Sequence, residues 1–78
     1  MRYAIVQRDG KGLYFYYRDR VEPSELGDVV TIFGGRRMKE VIGAAENFLE
    51  KNRGKEEMLK VLTPAEIAER IEELEQIR

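Results

Sequence analysis

The tetrapeptide Asp9-Gly10-Lys11-Gly12 lies between two alternating, aromatic-rich runs, and this arrangement constrains the fold more than any other feature of the chain. Asp-Gly is typical of tight hairpin turns, because these residues tolerate the backbone conformations that such turns require. The flanking runs, residues 3–7 and 13–18, have the branched and aromatic composition of strands. We therefore predict that the chain opens with a β-hairpin.

The length of the hairpin loop decides which side chains share a face of the sheet. With a loop of two or four residues, one face carries Ala4, Val6, Leu13, Phe15 and Tyr17. The opposite face then carries Tyr3, Ile5, Gln7, Tyr14, Tyr16 and Arg18. A three-residue loop would exchange the faces of one strand.

The middle of the chain predicts a loop, a third strand and a long helix. Residues 19–27 contain proline and glycine and indicate a loop, and residues 29–33 form a strand that ends at Gly34-Gly35. Helical spacing of apolar residues predicts an amphipathic helix over residues 36–52. Its apolar stripe consists of Met38, Val41, Ile42, Ala45, Phe48 and Leu49.

The end of the chain predicts a second helix with a clear start. Residues 58–62 fit either a short fourth strand, which we favour, or a helical turn. Thr63-Pro64-Ala65-Glu66 then combines a capping threonine, a proline at the first helical position and the glutamate of a capping box. The inward positions of this helix are Ile67, Ile71, Leu74 and Ile77.

These elements predict a single α+β domain over residues 1–78, with one sheet, one long amphipathic helix packed on it and a C-terminal helix. Residues 1–54 supply the hairpin, the third strand and the long helix, and residues 55–78 supply the short strand or turn and the last helix. An ordinary sheet has one dry and one wet face. The tyrosine-rich second face therefore indicates either an interface, which we favour, or a surface that the C-terminal helix covers.

Composition excludes several functional classes. The chain has no cysteine and no histidine, so it lacks disulfides, thiolate metal sites and the commonest general base. Its net charge is −1, without the basic excess of a general nucleic-acid binder. No signal peptide or membrane-length apolar run precedes the first strand, so we expect a cytoplasmic protein. The charged fraction of 37% is typical of thermophilic proteins.

Candidate sites follow from what remains. On the second face, we predict that Tyr3, Ile5, Tyr14, Tyr16 and Arg18 bind a protein partner, since tyrosine and arginine are enriched at interface hot spots. We expect no catalytic residue, no metal and no cofactor.

Two sequence features are compatible with binding of a nucleic acid or a phosphate ligand. Residues 11–16 echo the lysine-glycine and alternating aromatics of an RNA-recognition strand, although the order of elements differs from that fold. The junction Gly34-Gly35-Arg36-Arg37 is a candidate anion site, because a helix N-terminus and two arginines favour phosphate. The simpler interpretation, a tight turn followed by solvated arginines, is favoured.

Residues 1–50 resemble the N-terminal domain of HicB-like antitoxins. The matching features are the first strand Met1–Val6, the Asp9–Gly12 turn, the aromatic run Tyr14–Tyr17, Gly35 before the helix, and the helix pattern Glu40–Glu46. The chain departs from that family where Gly35-Arg36-Arg37 replaces Gly-Asp-Thr, and residues 56–78 hold room for one acidic helix. The resemblance implies a β-β-β-α-β partial RNase H-like sheet without catalytic residues, and a protein that neutralises a small toxin ribonuclease.

We therefore expect a non-catalytic protein-binding module of HicB-like antitoxin type. The alternative is a small adaptor or inhibitor, for example of phage origin, that uses the same aromatic face on another protein. A third hypothesis is a nucleic-acid or phosphate binder acting through Arg36 and Arg37. Because a chain this short carries many large apolar side chains, we also predict a homodimer.

Overall fold

Three antiparallel strands form one sheet in the computed structural model, which describes residues 1–76. The strands are β1 (Arg2–Asp9), β2 (Gly12–Arg18) and β3 (Val29–Gly35), in the order β2-β1-β3. Two helices follow, α1 (Met38–Lys51) and α2 (Pro64–Gln76). Single 3-10 turns, Pro23–Glu25 and Glu56–Met58, interrupt the two long connections. The predicted α+β fold is confirmed.

The hairpin closes with a two-residue loop, because Asp9 pairs with Gly12 across the turn. The backbone N–H of Lys11 donates to the Asp9 carboxylate at 2.7 Å. Gly12 has φ +129°, a conformation that side chains strongly disfavour, so glycine is required there. This loop length confirms the predicted division of the hairpin side chains between two faces.

Helix α1 covers the face that carries Ala4 and Val6, both fully buried. Val41 and Ala45 of α1 pack against them, and Phe48 and Leu49 extend the cluster. The helix begins at Met38 rather than at Arg36, because Arg37 is extended and acts as the N-cap without a side-chain hydrogen bond. Met38, predicted as part of the apolar stripe, is exposed.

Helix α2 covers part of the opposite face. Its predicted capping box is present: Thr63 N–H donates to Glu66 Oε1 at 3.0 Å, and Glu66 N–H donates to Thr63 Oγ1 at 3.2 Å. Ile67 is fully buried among Tyr3, Ile5 and Ile32, and Ile71 and Leu74 are partly buried. The predicted inward position of Ile77 lies outside the described residues.

The preference for a fourth strand over residues 58–62 is wrong. Residues 59–63 have no regular secondary structure, and only one backbone hydrogen bond, from Leu62 N–H to Val29 O at 2.7 Å, ties them to the sheet. Leu59 packs in the α1-side cluster and Leu62 in the α2-side cluster. The segment therefore crosses from the α1 face of the sheet to the α2 face. Because it passes across the edge of the sheet, it cannot pair along that edge as a fourth strand.

Arg8 holds this crossing segment against the hairpin. Its Nη1 atom donates to the carbonyl oxygens of Glu56 at 3.0 Å and Leu59 at 2.7 Å. A charged donor makes stronger hydrogen bonds to carbonyls than a neutral one. One side chain of β1 thus orders the connection between the two helices.

Candidate functional site

The predicted partner-binding face is divided by α2 into a covered part and an open part. Tyr3 is 4% exposed and Ile5 is 0% exposed, so neither is available on the surface. The Tyr3 hydroxyl donates to Glu75 Oε1 at 3.1 Å, which ties the covered part to the end of α2. For these two residues the alternative applies, in which the C-terminal helix covers the sheet.

The open part lies on β2 and consists of Tyr14, Tyr16 and Arg18, which we call the tyrosine strip. Tyr14 is 41% exposed, Tyr16 is half-buried and Arg18 is exposed. The two tyrosine rings are stacked, with centroids 6.4 Å apart and an interplanar angle of 24°. The Arg18 guanidinium lies 5.4 Å from the Tyr16 ring centroid, within cation–π range.

Gln7 orders the two tyrosines from the neighbouring strand. Its buried amide accepts a hydrogen bond from the Tyr14 hydroxyl at 2.5 Å and donates to the Tyr16 hydroxyl at 2.9 Å. One side chain therefore holds both phenols in place, and the rings lose little further freedom when a partner binds. The hairpin register predicts Gln7 on this face but assigns it no role. One sequence signal indicates such a role: with a two-residue loop, the polar Gln7 lies directly opposite Tyr14.

The phenol of Tyr16 is suited to hydrogen bonding rather than to proton abstraction. Burial raises the pKa of Tyr16 above its ordinary value, the Arg18 charge opposes this rise, and Tyr14 adds to it. The hydroxyl consequently stays protonated at neutral pH. It acts as a fixed donor and acceptor on an otherwise apolar ring.

A shallow concavity extends the tyrosine strip beyond the end of β2. It has a volume of about 320 Å³ and is lined by Tyr16, Arg18, Arg20, Glu22, Glu25 and Leu26. Bases and acids are interleaved around it, with one apolar side chain at its edge. This mixture is typical of the polar rim of a protein interface.

The glycines of the predicted anion site have a packing role. A Cβ atom on Gly34 would lie 3.1 Å from both Leu74 Cδ1 and Tyr3 Cδ1, and one on Gly35 would lie 3.2 Å from Val41 Cγ2. Both helices approach the sheet here, so larger residues would push them away. Arg36 and Arg37 are exposed, and Arg37 Nη1 lies 3.8 Å from Glu40 Oε1 on the helix surface. This geometry favours the tight-turn interpretation.

Other candidate chemistry is sparse in residues 1–76. They contain no cluster of three or more acidic, histidine or cysteine side chains that could hold a metal ion. The Thr63 hydroxyl is engaged in the capping box. Neither described helix has the length and apolar character needed to cross a bilayer.

Comparison with known proteins finds no significant match among protein-family models, curated proteins or solved structures. The resemblance to HicB-like antitoxins therefore stays a prediction based on residues 1–50.

Proposed function

We propose that this chain is a non-catalytic, cytoplasmic protein-binding module of HicB-like antitoxin type, which neutralises a small toxin ribonuclease. The observation that carries the proposal is the tyrosine strip. Its two aromatic residues are ordered by Gln7, partly exposed, and bordered by Arg18. Ordered tyrosine and arginine side chains are the residue types that dominate binding energy at protein interfaces.

The order of elements also supports this class. A hairpin, a third strand on the far side of β1 and an amphipathic helix agree with what the resemblance implies for residues 1–50. The strand that the resemblance implies after this helix is absent from the described residues, where a 3-10 turn and α2 follow instead. The covered part of the sheet, Tyr3 and Ile5, then belongs to the core, and the proposed contact surface is limited to the tyrosine strip and the adjoining concavity.

The test is affinity purification of the tagged full chain from its native host, followed by a ribonuclease assay on what co-purifies. The informative variant is Tyr14→Ala/Tyr16→Ala. Met38→Ala is a matched control, because Met38 is an exposed apolar side chain of α1, the helix that covers the opposite face of the sheet. We expect a small protein to be retained by wild type and by Met38→Ala, to be lost from the double tyrosine variant, and to degrade RNA once separated from its inhibitor.

The same experiment separates the alternatives. A retained partner without ribonuclease activity would favour the adaptor or inhibitor hypothesis, in which the same strip binds another protein. Retention that depends on Arg36 and Arg37, and that falls steeply with salt, would favour a nucleic-acid or phosphate ligand and contradict the proposal. Retention that is indifferent to the tyrosines would contradict the assignment of the strip as the contact surface.

A further inference from the structure

Strand β2 is an edge strand, and the hairpin geometry determines which of its backbone groups point outward. In an antiparallel pair, residues alternate between hydrogen-bonded and non-hydrogen-bonded positions. The N–H of Arg8 donates to Asp28 O at 2.9 Å, so the Arg8 backbone points away from β2 and toward β3. Leu13, which pairs with Arg8, is therefore in a non-hydrogen-bonded position. By the same alternation, the N–H and C=O groups of Leu13, Phe15 and Tyr17 face the open edge.

The two edges of the sheet differ in protection. At the start of β3 the crossing segment passes the edge, and Leu62 N–H donates to the Val29 carbonyl, the one backbone hydrogen bond that residues 59–63 make to this strand. Along β2, no hydrogen bond within the described chain engages the outward groups of residues 13, 15 and 17. Native proteins usually blunt such an edge with proline, charge or a bulge. Residues 13–17 of β2 contain only leucine and aromatic side chains.

The chain on either side of β2 leaves this edge accessible. After Arg18 it turns back over the α2 face, where Val21 and Leu26 pack against the cluster that contains Tyr3 and Ile5. Before Gly12 the chain is the tight hairpin loop. On the α1 side, Glu56 lines the same depression as Leu13 and Phe15. The outward backbone groups of residues 13, 15 and 17 are still unengaged, so an incoming strand can pair with them.

A second copy of β2 fits this edge in one antiparallel register better than in its neighbours. With Phe15 opposite its own counterpart, Leu13 faces Tyr17 of the second copy, and all outward groups exchange hydrogen bonds. Continued past the ends of β2, the same register brings Lys11 of the hairpin loop near Asp19 of the second copy, at both ends of the pairing. Asp19 Oδ1 also lies 3.8 Å from Arg2 Nε of its own chain, in an exposed ion pair that leaves the carboxylate accessible. A slip by two residues in one direction places Lys11 opposite Tyr17 of the second copy and leaves Asp19 beyond the hairpin turn. A slip in the other direction places Asp19 opposite Leu13, so both slips lose the contact between Lys11 and Asp19. Opposite charges across strands stabilise a pairing and like charges destabilise it, so charge selects the central register.

We propose that the chain forms a two-fold homodimer by antiparallel pairing of β2 with β2 of a second copy, which joins the two sheets into one. The central register sets Tyr14 beside Tyr16 of the other copy on the α2 face. The two tyrosine strips then form one continuous surface across the two-fold axis. This inference does not depend on the identity of any partner.

The experiment is sedimentation equilibrium of the purified full chain, without any partner, from about 1 µM to about 1 mM. Wild type is expected to dimerise within this range. Lys11→Asp and Asp19→Lys each replace two attractive contacts per dimer with repulsive ones, and each should weaken dimerisation about tenfold. An equimolar mixture of these two variants restores both opposite-charge contacts, so it should form a heterodimer of wild-type affinity, resolved by native mass spectrometry.

A second pair of variants tests the backbone contact itself. Tyr17→Pro removes an outward N–H that has no intrachain acceptor, whereas Tyr17→Val removes the same ring and keeps the N–H. We expect Tyr17→Pro to abolish dimerisation and Tyr17→Val to retain it, with folding checked by circular dichroism. If Tyr17→Pro does not fold, the charge-exchange mixture decides alone.

Several results would overturn the proposal. They are a monomer at all concentrations, a dimer unaffected by the single charge variants, and failure of the mixture to pair. A folded Tyr17→Pro variant that still dimerises would do so as well. If the chain is monomeric at all concentrations and β2 instead pairs with an extended segment of a different protein, the proposal is also wrong.

Discussion

The two faces of the sheet are closed to different degrees, although each is covered by one helix of similar length. On the α1 face, Ala4 and Val6 are fully buried and Phe15 of β2 joins the same cluster. On the α2 face, Ile5 and Ile32 are fully buried beneath Ile67, but the cover stops before the far part of β2. The tyrosines of one predicted face therefore have different roles: Tyr3 belongs to the core, and Tyr14 lies on the surface.

The largest effect should come from removing the cover on the second face. Ile67 is 2% exposed, and Ile67→Ala should lower the free energy of unfolding by about 2–4 kcal/mol through lost burial and the cavity it leaves. Glu69→Ala, on the solvent side of the same helix, is the control and should change stability by about 0.5 kcal/mol or less. Urea melts measure both. Equal small losses would mean that α2 contributes little to closing this face.

A second comparison concerns the effects of truncating two adjacent residues of β2, Phe15 and Tyr16, whose side chains lie on opposite faces of the sheet. Phe15 is half-buried against the α1 cluster, and Phe15→Ala should cost about 2–3 kcal/mol, somewhat below the range for fully buried phenylalanine. Tyr16→Ala loses a partly exposed ring and one hydrogen bond, and should cost about 1 kcal/mol. Binding of a protein partner should instead fall by about 2 kcal/mol or more for Tyr16→Ala, as at interface hot spots.

Paired urea melts and partner titrations measure these effects. If Tyr16→Ala unfolds the chain as severely as Phe15→Ala, both faces are internal and the tyrosine strip is not a binding surface.

Glycine substitutions sharpen the comparison at a smaller scale. Gly34→Ala puts a methyl group 3.1 Å from Leu74 and Tyr3 where α2 meets the sheet, and the overpacking should cost about 1–2 kcal/mol. Gly43→Ala meets nothing within 4 Å on helix α1, and should stabilise the protein by about 0.5–1 kcal/mol. Thermal or urea melts of the two variants should therefore shift in opposite directions. A shift in the same direction would contradict the close approach at Gly34.

The smallest effect concerns acid stability at the start of α2. Hydrogen bonds from Lys60 and from the Thr63 backbone lower the pKa of Glu66 to about 2. Because the folded pKa lies below the unfolded one, the stabilisation is present above pH 4.5 and is lost as pH falls toward 2. Glu66→Gln keeps a capping side chain but cannot ionise.

The stability difference between wild type and Glu66→Gln should shrink between pH 5 and pH 2, as measured by urea melts across that range. A difference that is constant with pH would show that the Glu66 charge contributes nothing beyond its hydrogen bonds.

Local signals explain the parts of the fold that sequence analysis predicted. The Asp9–Gly12 turn, the apolar stripe of α1 and the capping box at Thr63 each depend on a few neighbouring residues, and each is present in the structure. The failed prediction, a strand over residues 58–62, concerns a segment without a local signal. Its path is decided by the Arg8 guanidinium and by where Leu59 and Leu62 pack, which are long-range contacts.

The candidate site shows the same division. Sequence alone selected the tyrosine-rich face, because period-two alternation with a loop of two or four residues places those side chains together. The structure supplied the loop length, which is two residues. It could not show that Gln7 bridges Tyr14 and Tyr16, since that contact depends on side-chain geometry across the hairpin.

The sequence by itself determined the hairpin, the amphipathic helix and the start of the last helix, because turn chemistry, periodicity and capping are short-range effects. Only the tertiary structure decided which tyrosines are core and which are surface. That outcome depends on where α2 lies over the sheet, with Gly34 permitting its close approach and Ile67 filling the space above Ile5. Helical periodicity predicts that α2 has an apolar face, but it does not predict which apolar surface of the protein that face packs against.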